Sequence, residues 1–287
     1  MFDAGFTNDL LDAALLPPAA LLVAAFVRAW PGFILQSIER QEQLPWTADR
    51  IAAAAREAIL RAAFLVLMPL WGPGAAPARV RAVDPVRPPV LLVPDPAWGR
   101  TSVYLLASFV RRRGRVAQAM QWSRPIATLA EHADELDRHV EALRQATGAV
   151  RVDVIGAGAG GTIAAWYTRH RRGPETIRRL ITLGAPWTGT RTAIFRTGPL
   201  ARELVPGSLH LEGLLPPVIP SFAIAAEDDP VVIPHTSALA DPHRSLILTG
   251  CGHLGLLMSA RSFRAVALAL SDPLPIPMSE PAPEAAP

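Results

Sequence analysis

The run VDVIGAGAGGTIAAWYTR at 152–169 constrains the fold more than any other part of the chain. A short apolar stretch enters a turn with glycine at 156, 158, 160 and 161, and a helical pattern follows. The spacing predicts a strand, a turn too tight for side chains, and a helix, which is the repeating unit of an α/β protein with a parallel sheet. Gly156, Gly158 and Gly161 also satisfy the G-x-G-x-x-G spacing of a dinucleotide-binding turn. That chemistry asks for an acidic residue at the end of the next strand. The next apolar run, Leu180 to Leu183, instead closes on Gly184, Ala185, Pro186 and Trp187, and the turn comes mid-chain after two earlier strands. Dinucleotide binding stays a weak alternative, and a turn whose glycines only permit close packing is the plainest reading.

From Val90 onward, short apolar runs alternate with longer helical patterns. Strands are expected at 90–93, 116–120, 152–155, 180–183, 221–225 and 245–248, and helices at 102–112, 126–147, 161–170 and 262–270. The segment 185–216 lies between two strands without a tight crossover, where a lid is expected. The first 71 residues are a separate apolar helical region. Ala13 to Val27 is uncharged but broken by Pro17 and Pro18, lacks a basic leader, and is short for a membrane span. Ala48 to Leu67 repeats apolar residues at Ile51, Ala55, Ile59, Ala62, Ala63 and Leu67 with helical period. Both segments suit docking on the domain or lying on a membrane surface. A Pro/Ala-rich linker is expected at 72–89 and a disordered tail at 272–287. No cleavable signal peptide is expected, and these features leave a cytoplasmic and a membrane-associated location both open.

Composition excludes several function classes. The net charge is only +3, and all 28 basic residues are arginine. Clusters such as Arg111 to Arg113 fall at predicted helix ends, where cations offset the helix dipole, so no nucleic-acid partner is implied. Cys251 is the only cysteine, which excludes an internal disulfide and a cysteine-based zinc site. His235, His243 and His253 lack metal-ligand spacing, so neither a metal nor a cofactor is expected. His132, His139 and His170 are assigned to polar helical faces.

The order of landmarks over residues 90–271 resembles that of bacterial lipases and esterases of the α/β-hydrolase fold. The apolar strand 90–93 runs into Pro94-Asp95-Pro96, where that family carries His-Gly. The glycine turn matches the family's G-x-S-x-G elbow, with Gly158 in place of the nucleophilic serine. The run 180–190, LITLGAPWTGT, is similar to the family's strand ending in Leu-Gly-x-Pro-x-x-Gly-Thr. Glu227-Asp228-Asp229-Pro-Val-Val resembles the loop of the catalytic acid, and Thr249-Gly-Cys-Gly-His253 that of the catalytic histidine.

The resemblance implies an α/β-hydrolase fold, a mostly parallel sheet flanked by helices, with an N-terminal helical appendage. It assigns Asp229 as the acid, with Asp228 a near alternative, and His253 as the base. Gly158 leaves the nucleophile position vacant, and Thr162 is poorly placed to replace it. One oxyanion donor would be the N–H of Ala159, but the Pro94-Asp95-Pro96 turn lacks proline N–H groups and brings a carboxylate. Asp95 facing water as a turn residue is the milder reading. Trp98 and Trp187 are candidates to line an apolar pocket. The implied function is a pseudo-hydrolase, non-catalytic or strongly impaired, that binds a lipid or acyl ligand or a partner protein. The alternative is a working ester or lipid hydrolase in which Asp229 and His253 activate water.

Overall fold

The computed structural model describes residues 32, 34–39, 48–67, 87–241 and 244–271. Among these residues, six strands form one parallel sheet: β1 Val90–Val93, β2 Ala117–Ala119, β3 Val152–Ala157, β4 Ile177–Leu183, β5 Ser221–Ala226 and β6 Ser245–Leu248. Their spatial order is β2-β1-β3-β4-β5-β6. The chain steps outward from β1 to β2, returns across β1 to β3, and then proceeds in one direction. The reversal puts a topological switch point between the carboxyl ends of β1 and β3, where open parallel sheets bind their ligands.

Both faces of the sheet are covered, so its central strands carry near-continuous apolar runs and successive residues feed different layers. Leu91 and Val93 join one core with Val152 and Val154, while Val90 and Leu92 join the other with Ile155 and Ala157. The longer helices among the described residues are α1 Ala48–Leu67, α2 Tyr104–Arg112, α3 Leu129–Thr147, α4 Ala159–His170 and α5 Ala260–Ala269. On the first face α3 contributes Leu129, Leu136, Val140 and Leu143, and α4 contributes Ile163 and Tyr167. On the second, α2 contributes Leu106 and Val110, and α5 contributes Ala265 and Val266.

Element boundaries follow local chemistry. Thr128 caps α3 by accepting from the Glu131 N–H at 3.2 Å, and the Glu131 carboxylate accepts from the Thr128 N–H at 2.8 Å, so the helix begins later than its apolar pattern. The expected helix 102–112 divides into a 3₁₀ turn, Arg100–Val103, and α2. Between β4 and β5, the expected lid region holds short helical turns at Arg191–Phe195, Pro199–Glu203 and Leu209–Leu211. Glu203 ties this region to α3 by accepting from the Leu129 N–H at 2.6 Å, and Thr190 ties it to the next loop by donating to the Val231 carbonyl at 2.7 Å.

The N-terminal helix α1 docks on the domain through a face that keeps Ala62 of the expected stripe but leaves Ile59 and Ala63 outside it. Glu57, Ala58, Arg61 and Ala62 are buried, whereas Ile59 is 56 % exposed. Glu57 turns this face inward: it accepts from the Leu254 N–H at 3.0 Å, next to His253, and lies 3.5 Å from Arg61 one helical turn on. Arg56 donates to the Gly250 carbonyl at 3.2 Å. The helical segment 34–39 reaches the other functional loop, where Gln36 donates to the Glu227 carbonyl at 2.9 Å and Glu39 pairs with Arg191. No helix among the described residues is long and apolar enough to cross a membrane. Ala13 to Val27, residues 72–86 of the linker, His243 and the tail 272–287 lie outside the described residues.

Candidate active site

The loops after β1, β3, β5 and β6 converge at the carboxyl edge of the sheet. Gly158 links β3 to α4 with φ 53° and ψ −132°, a conformation that strains any residue with a Cβ. The neighbouring glycines have a packing role. A Cβ on Gly160 would stand 2.4 Å from the Pro94 carbonyl oxygen, and one on Gly161 would stand 2.6 Å from the Ala185 Cβ. The turn therefore lets α4 press against both adjoining strand ends.

Asp95 is turned into this site and not toward water. It is 6 % exposed. Its Oδ2 accepts from the Ala159 N–H at 3.0 Å, and its Oδ1 accepts from the Ala97 N–H at 2.9 Å. Gly158 has no side chain with which to cap α4, so Asp95 supplies the capping carboxylate from another loop, where the helix dipole favours negative charge. The two residues depend on each other sterically, because a Cβ on Gly158 would lie 2.7 Å from Asp95 Oδ2. This arrangement also disfavours the dinucleotide reading, since the helix N-terminus that would meet a pyrophosphate already holds a carboxylate.

Asp229 and His253 meet across the β5 and β6 loops. His253 Nδ1 and Asp229 Oδ2 are 2.7 Å apart, and Asp229 Oδ1 accepts from the N–H groups of Val231 at 2.7 Å and Val232 at 2.9 Å. Both side chains are buried, with His253 only 5 % exposed. Burial alone would push the imidazole down from its ordinary value. The charge and hydrogen bond of Asp229, with the nearby charges of Glu57 and Asp95, outweigh it, and the pKa is raised.

The sign of that shift fixes a pH dependence. A histidine whose folded pKa lies above its unfolded value near ~6.5 contributes stability that is complete below the unfolded pKa and disappears as pH rises through the folded one. The melting-temperature gap between wild type and His253→Gln is therefore expected to be widest at mildly acidic pH and to narrow toward alkaline pH. Thermal unfolding across that range checks it, and a constant gap would show that the pair is not coupled through charge.

The other candidates fall in varied surroundings. Trp98 is half-buried beside Asp95, while Trp187 is packed inside the core, with its indole N–H 3.3 Å from Thr182 Oγ1. Thr162 is buried and donates to the Pro186 carbonyl at 3.1 Å. Cys251 is buried, which pushes its thiol up to about 12 and leaves it a protonated packing residue. Among the described residues, no three His, Cys, Asp or Glu side chains gather as metal ligands. His132 is not on a polar face. It is fully buried, edge-on to Trp122 with centroids 4.6 Å apart, and neither ring nitrogen has a hydrogen-bond partner. Its burial lowers its pKa and keeps the ring neutral.

No protein-family model matches the chain, and no curated protein does. Solved structures do. The mature lipase BlEst2 of Bacillus licheniformis is 15 % identical with a TM-score of 0.60, over 68 % of this chain and 96 % of that one. Lipase B of Aspergillus fumigatus is 14 % identical with a TM-score of 0.60, over 95 % of this chain and 86 % of that one. The lin2722 product of Listeria innocua is 15 % identical with a TM-score of 0.51, over 65 % of this chain and 94 % of that one. The parallel six-stranded sheet, its flanking helices and these likenesses together show that the chain has the α/β-hydrolase fold of lipases and esterases.

Proposed function

We propose that this chain is a lipase/esterase-like pseudo-hydrolase, in which glycine has taken the place of the serine nucleophile and the protein acts by binding a lipid-like ligand. One observation carries the reading: the Asp95 carboxylate accepts from the Ala159 N–H and fills the space beside Gly158. Serine-type acyl transfer needs a hydroxyl at the elbow and a free donor for the developing oxyanion. Here the hydroxyl is absent, the donor is engaged, and the occupying group is anionic. Loss of the nucleophile in a triad lowers turnover about a million-fold, so the retained dyad does not compensate. His253 and Asp229 are then a buried hydrogen-bonded pair that joins two loops.

The lipid preference is supported by the lipase fold and by the apolar N-terminal region, which we propose as a contact for lipid surfaces. Mass spectrometry of the purified protein under native conditions is expected to show a co-purifying lipid. Turnover of p-nitrophenyl esters is expected to be no faster than that of the His253→Ala variant. A clear drop on that substitution would instead support the second reading, in which the intact 2.7 Å Asp229–His253 pair activates water.

A further inference from the structure

The amino edge of the sheet, opposite the dyad, carries a pocket of about 390 Å³. Its lining divides cleanly. Phe109, Val110, Ala267 and Leu270 are apolar, Arg87, Arg113 and Arg115 are cationic, Ser271 is polar, and among the described residues no acidic one lines it. Phe109 stacks against Phe263 with centroids 5.1 Å apart, and the Arg113 guanidinium lies 4.7 Å over the Phe109 ring. This gives a rigid aromatic wall with a cation at its rim.

Behind the pocket, three guanidiniums meet on one carboxylate. Asp153 pairs with Arg115 at 2.9 Å, Arg178 at 2.7 Å and Arg179 at 3.6 Å. Arg115 also donates to the carbonyls of Leu270 at 3.0 Å and Pro88 at 3.1 Å, which satisfy N–H groups without supplying net charge. Its Nε is buried with no hydrogen-bond partner. Burial lowers the Arg115 pKa, and Arg178 and Arg179 add to that pull against Asp153. The Arg113 and Arg115 guanidiniums of the lining are complementary to an incoming anion, and the apolar wall is complementary to a hydrocarbon body.

We infer that this pocket is a second ligand site, separate from the dyad, for a small amphiphile with a carboxylate or phosphate head and a short apolar body. The head lies against Arg113 and Arg115, and the body lies along Phe109, Val110, Ala267 and Leu270. The inference stands apart from the pseudo-hydrolase reading, because no residue of the carboxyl-edge site takes part.

Isothermal titration of the full chain at low salt with octanoate, octyl phosphate and octanol tests it. Both anions are expected to bind and octanol is not. A tighter octyl phosphate would identify a phosphomonoester head, and a tighter octanoate a fatty-acid head. Arg113→Gln, at an exposed position, is expected to weaken anion binding about tenfold, the loss of one charge-assisted contact. Ala267→Phe is expected to abolish binding by filling the pocket, with thermal unfolding to confirm that each variant folds. Binding that survives both substitutions in folded protein, octanol binding as tight as octanoate, or no binding of either anion at millimolar concentration would overturn the site. His253→Ala is expected to leave the titration unchanged.

Discussion

A Gly158→Ser variant is expected to remain hydrolytically silent, whereas adding Asp95→Gly is expected to raise ester turnover over the single variant by about 100-fold to 1000-fold. Geometry separates the two outcomes. A Cβ at 158 would stand 2.7 Å from Asp95 Oδ2, so a serine could enter only by displacing a carboxylate held by the N–H groups of Ala159 and Ala97. The φ of 53° adds backbone strain of about 1–3 kcal/mol for any residue with a Cβ. Even a serine that fitted would find the Ala159 donor engaged and an anion where its own oxyanion must develop. Asp95→Gly removes the collision, frees the donor and lifts the repulsion, while the 2.7 Å Asp229–His253 pair is already in place to take the serine proton. Because these groups act as a unit, Asp95→Gly alone is expected to gain nothing. Turnover of p-nitrophenyl butyrate, with thermal unfolding for each variant, decides the matter. Strong hydrolysis from Gly158→Ser alone would refute the blocking role of Asp95. A folded but silent double variant would show that the substrate pocket has closed as well.

Much of this site was legible in the sequence, because strand, turn and helix each impose their own pattern. The glycine run predicted a turn between β3 and α4, and the positive φ of Gly158 is its physical cause. The central strands stood out because burial on both faces makes each a compact apolar run, whereas the edge strands β2 and β6 are short and partly exposed. The misreadings share one cause, which is that a polar residue carries no mark of which way it faces. Asp95 reads equally well as a water-facing turn residue, and only the approach of α4 shows that its carboxylate caps another element. Ile59 reads as part of the apolar stripe of 48–67, yet Glu57, by accepting from the Leu254 N–H, turns α1 so that Ile59 faces outward. His132 did leave a signal. It sits three residues after Leu129 and four before Leu136, on the apolar stripe of α3, and that spacing outweighs the general preference of histidine for partly exposed positions.

Replacing Asp153 by asparagine is expected to be among the most destabilising single changes in the chain, at about 3–5 kcal/mol. Asp153 is fully buried at the start of β3, and its carboxylate is the meeting point of Arg115, Arg178 and Arg179. The asparagine side chain keeps the shape but not the charge, so the guanidiniums lose the carboxylate that offsets their mutual repulsion and desolvation. At roughly 2–4 °C per kcal/mol for a domain of this size, the melting temperature should fall by about 10 °C. Asp134→Asn is the contrast. That residue pairs with Arg171 at 2.8 Å where both side chains are substantially exposed, so water screens the pair and its loss is expected to stay below about 1 kcal/mol. Coupling identifies the cause. Arg178 is the most exposed member of the Asp153 cluster, and Arg178→Gln in the Asp153→Asn background should recover part of the lost stability, although Arg178→Gln alone should be mildly destabilising. Additive effects of the two substitutions in urea unfolding would mean that Asp153 acts through hydrogen bonds and packing alone. A sign reversal between the two backgrounds would show that the buried charge of Asp153 is what makes Arg178 favourable at the amino edge of the sheet.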